Sequence, residues 1–243
     1  MDTEKELIKS FVSNRYLEDH RQSCLVMALE TARILSGRDK KTGASIKLDD
    51  CTVMPDVLYS KSPYFKHNEF GSSDNLAGLI NYLLLLDLIG NVFKPKNLAK
   101  KKDGNSINKA LAYFSSITDE KERWTIVALR NCLAHNYGLI NIPEIPKKKK
   151  QEEIEKIKEK YQHKFCLHLN DGTKDLIKIP TTRWNGNYTD KDESTSTQID
   201  VCKLIDAIEE TYENLKEMAE NGELELCLKD GEAELMTKFT IIT

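Results

Sequence analysis

ALRNCLAHNYGL, residues 128–139, closes a helix-forming segment that begins at Asp119. Over residues 119–135 the apolar side chains of Trp124, Val127, Ala128, Leu129, Cys132 and Leu133 recur at helical spacing, and Ala134 extends that face. Asp119 and Glu120 fall in the first turn, where negative charge complements the helix dipole. Gly138 is the expected stop. Arg130, Asn131, His135 and Tyr137 therefore gather at the C-terminal end of one amphipathic helix, where backbone carbonyls point outward.

Asn131 and His135 are four residues apart and share a face, as do Arg130 and Tyr137, seven apart. Arg130 and His135 are five apart and diverge by roughly 140° on a regular helix. They converge on one small group only if the arginine curls round, the last turn distorts, or a second copy of the helix faces the first. A site built here is thus more natural at a dimer interface than on one isolated helix. The residue types suit phosphodiester cleavage. Arginine offers a permanently charged, planar fork of donors matched to a phosphate. Histidine exchanges a proton near neutral pH, and a helix C-terminus favours its imidazolium form. Asparagine can hold either of them, and the set requires no metal or other cofactor.

The run R-N-C-L-A-H-N-Y resembles the R-x4-H-x-Y motif of the HEPN superfamily, including the polar residue that commonly follows the arginine. The resemblance is clear over about ten residues and extends plausibly over residues 74–138. It implies a mainly α, HEPN-type helical bundle and a metal-independent endoribonuclease acting on RNA as a homodimer that places two motifs in one cleft. Arg130 and His135 would be the catalytic pair, with Asn131 supporting. Tyr137 matches the tyrosine that a nucleotidyltransferase antitoxin modifies in some toxin–antitoxin pairs. A toxin or antiviral-defence role follows from the resemblance alone. The alternative is a non-catalytic HEPN-like module that binds RNA or a partner protein.

Around this motif, 40% apolar and 31% charged residues predict a soluble globular chain with a heavily charged surface. A net charge of −3 does not by itself announce a nucleic-acid binder. The acidic start, MDTEKELIKS, does not read as a secretory leader, and the six cysteines have no C-x-x-C spacing. A cytoplasmic protein with reduced thiols is expected.

Residues 4–16 and 17–35 read as amphipathic helices, and residues 38–73 as an irregular connection. In that connection Tyr59, Tyr64, Phe65 and Phe70 alternate with Lys61 and Lys66. Stacking on single-stranded bases is conceivable there, but a connection folded back on its own aromatics is preferred. Residues 74–93, DNLAGLINYLLLLDLIGNVF, are apolar nearly all round. That run approaches membrane-spanning length, but Asn81 and Asp87 interrupt it, so a buried bundle centre is expected and no membrane span. Asp87 would then be a buried acid needing a partner, with Arg130 one candidate. Residues 94–102 hold five lysines and no acid, and Lys100, Lys101 and Lys102 are the candidate RNA-backbone contacts beside the motif. Residues 106–117 read as a further helix.

After the motif, two prolines in residues 140–146 stop any helix, and 147–160 is a charge-dense helix that buries little. Residues 163–169 and 175–179 alternate apolar and polar side chains about Asn170-Asp171-Gly172, which predicts a β-hairpin. His163, Cys166 and His168 are read as strand residues, not as a metal site. Residues 181–197 are polar, with Trp184 either an anchor or a contact residue. Residues 199–221 form a strong amphipathic helix that Gly222 ends. Eleven acids and two lysines between 206 and 234 make the end of the chain acidic. Residues 224–228 and 234–242 flank a Lys-Asp-Gly turn and suggest a second hairpin. The expected architecture is a single HEPN-like domain over 1–243. Its bundle comprises 4–139 plus 198–222, a β-hairpin insertion occupies 140–197, and a C-terminal hairpin occupies 223–243.

Overall fold

A computed structural model describes residues 3–18, 20–44, 73–98, 104–168 and 175–242 of the chain. The fold is mainly α, with eight helices among the described residues. The most apolar of them, α3 (Ser73–Val92), lies at the centre. Leu79, Tyr82, Leu83, Leu85, Leu86 and Ile89 are all buried, so three sides of this helix face other elements. That is how a helix without a polar side is accommodated. No helix among the described residues is long and apolar enough to cross a membrane.

Around α3 stand α2 (Cys24–Leu35), α4 (Ser106–Phe114), α5 (Glu120–Asn136) and α7 (Val201–Asn221). On the outside, α1 (Thr3–Ser13) buries Ile8, Phe11 and Val12 against α2 and α7. Side chains cap the helix starts where propensity expects them. Asn105 accepts from the Ile107 amide at 2.9 Å, Asp119 from Lys121 at 2.8 Å, and Asp200 from Lys203 at 3.0 Å. At the end of α7, Gly222 takes φ +72°, the left-handed turn expected from the sequence. Gly90 allows α3 to meet the first turn of α4 backbone to backbone, because a β-carbon there would overlap the Ser106 carbonyl oxygen.

The small sheets differ from expectation in three places. The helix read over 17–35 begins only at Cys24, because β1 (Arg21–Ser23) pairs antiparallel with the end of the chain, β8 (Thr240–Ile242). The hairpin predicted over 163–179 does not form. β4 (His163–His168) and β5 (Ile177–Lys178) are separated by β6 (Thr197–Asp200), which pairs parallel with β4 and antiparallel with β5. β3 (Ile140–Asn141) completes the order β3-β4-β6-β5. The cause lies in Ile199, fully buried and in register with Leu167 on one side and Ile177 on the other. The anticipated turn residues, 170–172, lie outside the described residues.

The C-terminal hairpin over 223–243 does not form either. β7 (Leu224–Leu226) pairs with β2 (Phe93–Pro95), and the residues after it wind into α8 (Gly231–Lys238). Glu234 reaches back to accept from the Lys229 amide at 3.0 Å, so Lys-Asp-Gly opens a helix instead of joining two strands. Between β5 and β6, Trp184 is buried, and its indole N–H donates to the Asn187 carbonyl at 2.9 Å, which makes it an anchor. The charge-dense α6 (Gln151–Tyr161) buries none of its residues fully, as its composition implied.

His163 is a structural strand residue, 3% exposed. Its Nε2 lies 3.3 Å from the Lys160 carbonyl, which can only accept, so this nitrogen carries the proton. Nδ1, 2.9 Å from the Thr197 hydroxyl, then accepts. Both nitrogens are used by the neutral ring, and burial pushes its pKa down to about 4 from 6.5. Between those values the unfolded chain binds a proton that the folded chain refuses, so stability is present above pH 6.5 and is lost as pH falls towards 4. We expect about 3 kcal/mol to disappear over that window. Urea unfolding at pH 7 and pH 4.5 measures it, and a His163→Gln variant should show a flatter dependence.

Candidate functional site at the end of the motif helix

The inner face of α5 is apolar: Ile126, Val127, Ala128, Leu129, Cys132 and Leu133 are buried in the core. Cys132 sits inside the motif but is no nucleophile. Burial pushes its thiol up to about 12, and its S–H donates to the Leu129 carbonyl at 3.1 Å.

Arg130 leaves the flank of this helix and turns towards α3. Its side chain is 22% exposed, and its Nη2 forms an ion pair with Oδ2 of Asp87, itself 13% exposed. The other oxygen of that carboxylate accepts from the Ser106 hydroxyl, at the first residue of α4. Asp87 is therefore the buried acid anticipated on α3, and Arg130 is its partner. The Arg130 Nη1 reaches the Asn131 side-chain oxygen at 3.4 Å, a weak contact between neighbours. Its Nε–H is buried with no acceptor, an arrangement that costs about 1–3 kcal/mol when nothing fills it. Ser106 was missed in the sequence, where it reads only as the first residue of the helix over 106–117.

His135 lies in the last turn and is exposed. The helix stays regular as far as Asn136, so no local distortion of α5 swings His135 towards Arg130. The arginine, for its part, is directed at Asp87. Within this one chain the two side chains therefore point to different places.

The helix stop lies one residue before the expected Gly138. Tyr137 takes the left-handed conformation at φ +49° and ψ +30°, and its amide donates to the Cys132 and Leu133 carbonyls. Its side chain is 76% exposed. A residue with a β-carbon is strained in this region by about 1 kcal/mol, and no burial of this ring offsets it. Tyr137→Gly is therefore expected to raise stability by about 1 kcal/mol in urea unfolding. An unchanged or lower midpoint would mean that the ring contributes to the fold.

Lys100, Lys101 and Lys102 lie outside the described residues, as does the aromatic cluster between Tyr59 and Phe70. Two other lysines of the basic stretch are engaged: Lys94 pairs with Glu225, and the Lys96 ammonium donates to the Gly222 carbonyl at 2.8 Å. They tie β2 and the residue after it to β7 and to the end of α7. Two open clefts of about 760 and 450 Å³ flank α6, with Glu159 and Arg183 in both linings, and neither lining includes Arg130 or His135. Among the described residues no group of three or more His, Cys, Asp or Glu side chains could hold a metal ion. Comparison of the chain with protein families, with curated proteins and with solved structures finds no match.

Proposed function

We propose that the chain is a HEPN-type, metal-independent endoribonuclease that works as a homodimer. The observation that carries this reading is a partly buried arginine whose donors the protein does not all fill, five residues along the same helix from an exposed histidine. In the proposed reaction a ribose 2′-hydroxyl attacks the adjacent phosphorus, and the bond to the 5′-oxygen of the next nucleotide breaks. His135 moves a proton, as base on the hydroxyl or as acid on the leaving oxygen. Arg130 stabilises the charge that grows on the phosphate, and Asn131 orients one of the two. The products are a 2′,3′-cyclic phosphate and a free 5′-hydroxyl. A cytoplasmic toxin or defence effector fits this chemistry, with an antitoxin or nucleotidyltransferase as its partner through the exposed Tyr137 ring.

A second reading, a non-catalytic module that binds RNA or protein, draws support from the Asp87 ion pair, which gives Arg130 a structural use. RNA cleavage in the presence of EDTA separates the two. Cleavage that ends in a cyclic phosphate and is lost in His135→Ala supports the enzyme. RNA bound equally by both proteins and cut by neither supports the module.

A further inference from the structure

We infer that Asp87, held by Ser106, is the positioning residue that sets the Arg130 guanidinium for a phosphate oxygen. The inference rests on the ribonuclease reading of Arg130. Three helices converge on this one side chain: α5 supplies the arginine, α3 the carboxylate and α4 the hydroxyl. One carboxylate oxygen is ion-paired with Nη2 without accepting a hydrogen bond, and the other accepts from Ser106, so rotating Asp87 disturbs both contacts. Ser106 is itself fixed by the backbone. Gly90, one turn beyond Asp87 on the same helix, presses directly on the Ser106 carbonyl. The chain Gly90–Ser106–Asp87–Arg130 thus transmits the rigid α3–α4 contact to a guanidinium.

What this leaves unfilled points to an anion. The planar fork of an arginine presents more donors than Asp87 and Asn131 occupy, and Nε–H has no acceptor in the protein. Nε is shut off from solvent, so the donors an incoming anion can reach are those on the Nη nitrogens of a side chain that keeps 22% of its surface exposed. An arginine serving only as the counterion of Asp87 would have no need of open donors. Asp87 touches no substrate in this scheme and acts through Arg130.

Kinetics and arginine side-chain NMR of the full chain test it together. Asp87→Asn keeps the size and one acceptor oxygen but removes the charge. It is expected to lower kcat about thirtyfold, with KM within about threefold, because the loss falls on aim in the transition state. Ser106→Ala, a milder change that keeps the carboxylate, is expected to lower kcat about threefold. In the wild type the Arg130 Nη–H signals should shift on titration with inorganic phosphate, and in Asp87→Asn that shift should be lost. A folded Asp87→Asn protein with wild-type kcat overturns the inference and leaves the ribonuclease reading standing. Absence of cleavage by the wild type sinks that reading instead. The phosphate titration then still decides: a signal that never shifts, or shifts equally in both proteins, overturns the positioning role.

Discussion

Arg130→Ala and His135→Ala are each expected to lower RNA cleavage about a thousandfold, but only the first should weaken the fold. The asymmetry follows from where the two side chains lie. Removing the guanidinium leaves the Asp87 carboxylate, 13% exposed, with the Ser106 hydroxyl and no cation. A buried charge stripped of its partner costs about 2 kcal/mol or more. His135 is exposed, and its loss should change stability by no more than about 0.5 kcal/mol. Single-turnover cleavage and urea unfolding on the same preparations give both readouts. A His135→Ala protein of unchanged stability and abolished cleavage isolates chemistry from folding. An Arg130→Ala protein that is less stable yet cuts as well as the wild type would show that the arginine serves only Asp87. The same variants probe the divergence of Arg130 and His135 on a regular helix. If each site takes its arginine from one copy and its histidine from the other, a heterodimer of the two inactive variants contains one intact site. Random mixing makes half the dimers heterodimers, with one of two sites intact, so about a quarter of wild-type activity should return. No recovery would place both residues of a site on one chain.

The helices were legible because their signal is local. Apolar spacing over one or two turns identified α3, α5 and α7, and the unbroken apolar surface of α3 correctly placed it at the centre. From that position Asp87 followed as a buried acid and Arg130 as a possible partner. Strand pairing was not legible, because it is decided by residues far apart in the chain. Thr197-Gln198-Ile199-Asp200 looks polar in isolation. In the fold Thr197 bonds His163, Asp200 caps α7 and Ile199 is buried between two neighbours. Thr197 and one oxygen of Asp200 find partners that the local pattern does not reveal, so a central strand read as the end of a polar loop and the start of a helix. The C-terminal residues failed for a related reason, since α8 depends on Glu234 capping amides that precede it and β8 on a strand more than two hundred residues away. Within the site the residue types were readable and their orientations were not. Nothing in ALRNCLAHNYGL indicates that Tyr137, and not Gly138, adopts the left-handed turn, or that Ser106 stands behind Asp87.

Glu209→Ala is expected to cost about 3–5 kcal/mol of stability. Glu209 on α7 receives the Arg33 Nε at 2.9 Å and Nη2 at 2.6 Å from α2, together with the hydroxyl of Tyr82 on α3. The Arg33 side chain is 4% exposed, and its Nη1 also donates to the Lys41 carbonyl at 2.7 Å. Burial, reinforced by the adjacent carboxylate, pushes the Tyr82 hydroxyl well above its usual range, so it remains a neutral donor. Truncating Glu209 leaves a buried guanidinium without its counterion and a buried phenol without an acceptor. The loss should therefore exceed that of any one hydrogen bond. Whether the network stabilises the fold relative to an apolar core is a separate matter. Desolvating both ions consumes much of their attraction, so a double variant with Arg33→Met and Glu209→Leu should recover most of what Glu209→Ala loses. Recovery would show that the penalty came from the orphaned Arg33 and Tyr82 groups. A double variant as unstable as the single one would show instead that the ion pair itself holds α2, α3 and α7 in register. Because Asp87 lies on α3 little more than one turn beyond Tyr82, that second outcome would make this network a support of the Arg130 site as well as of the core.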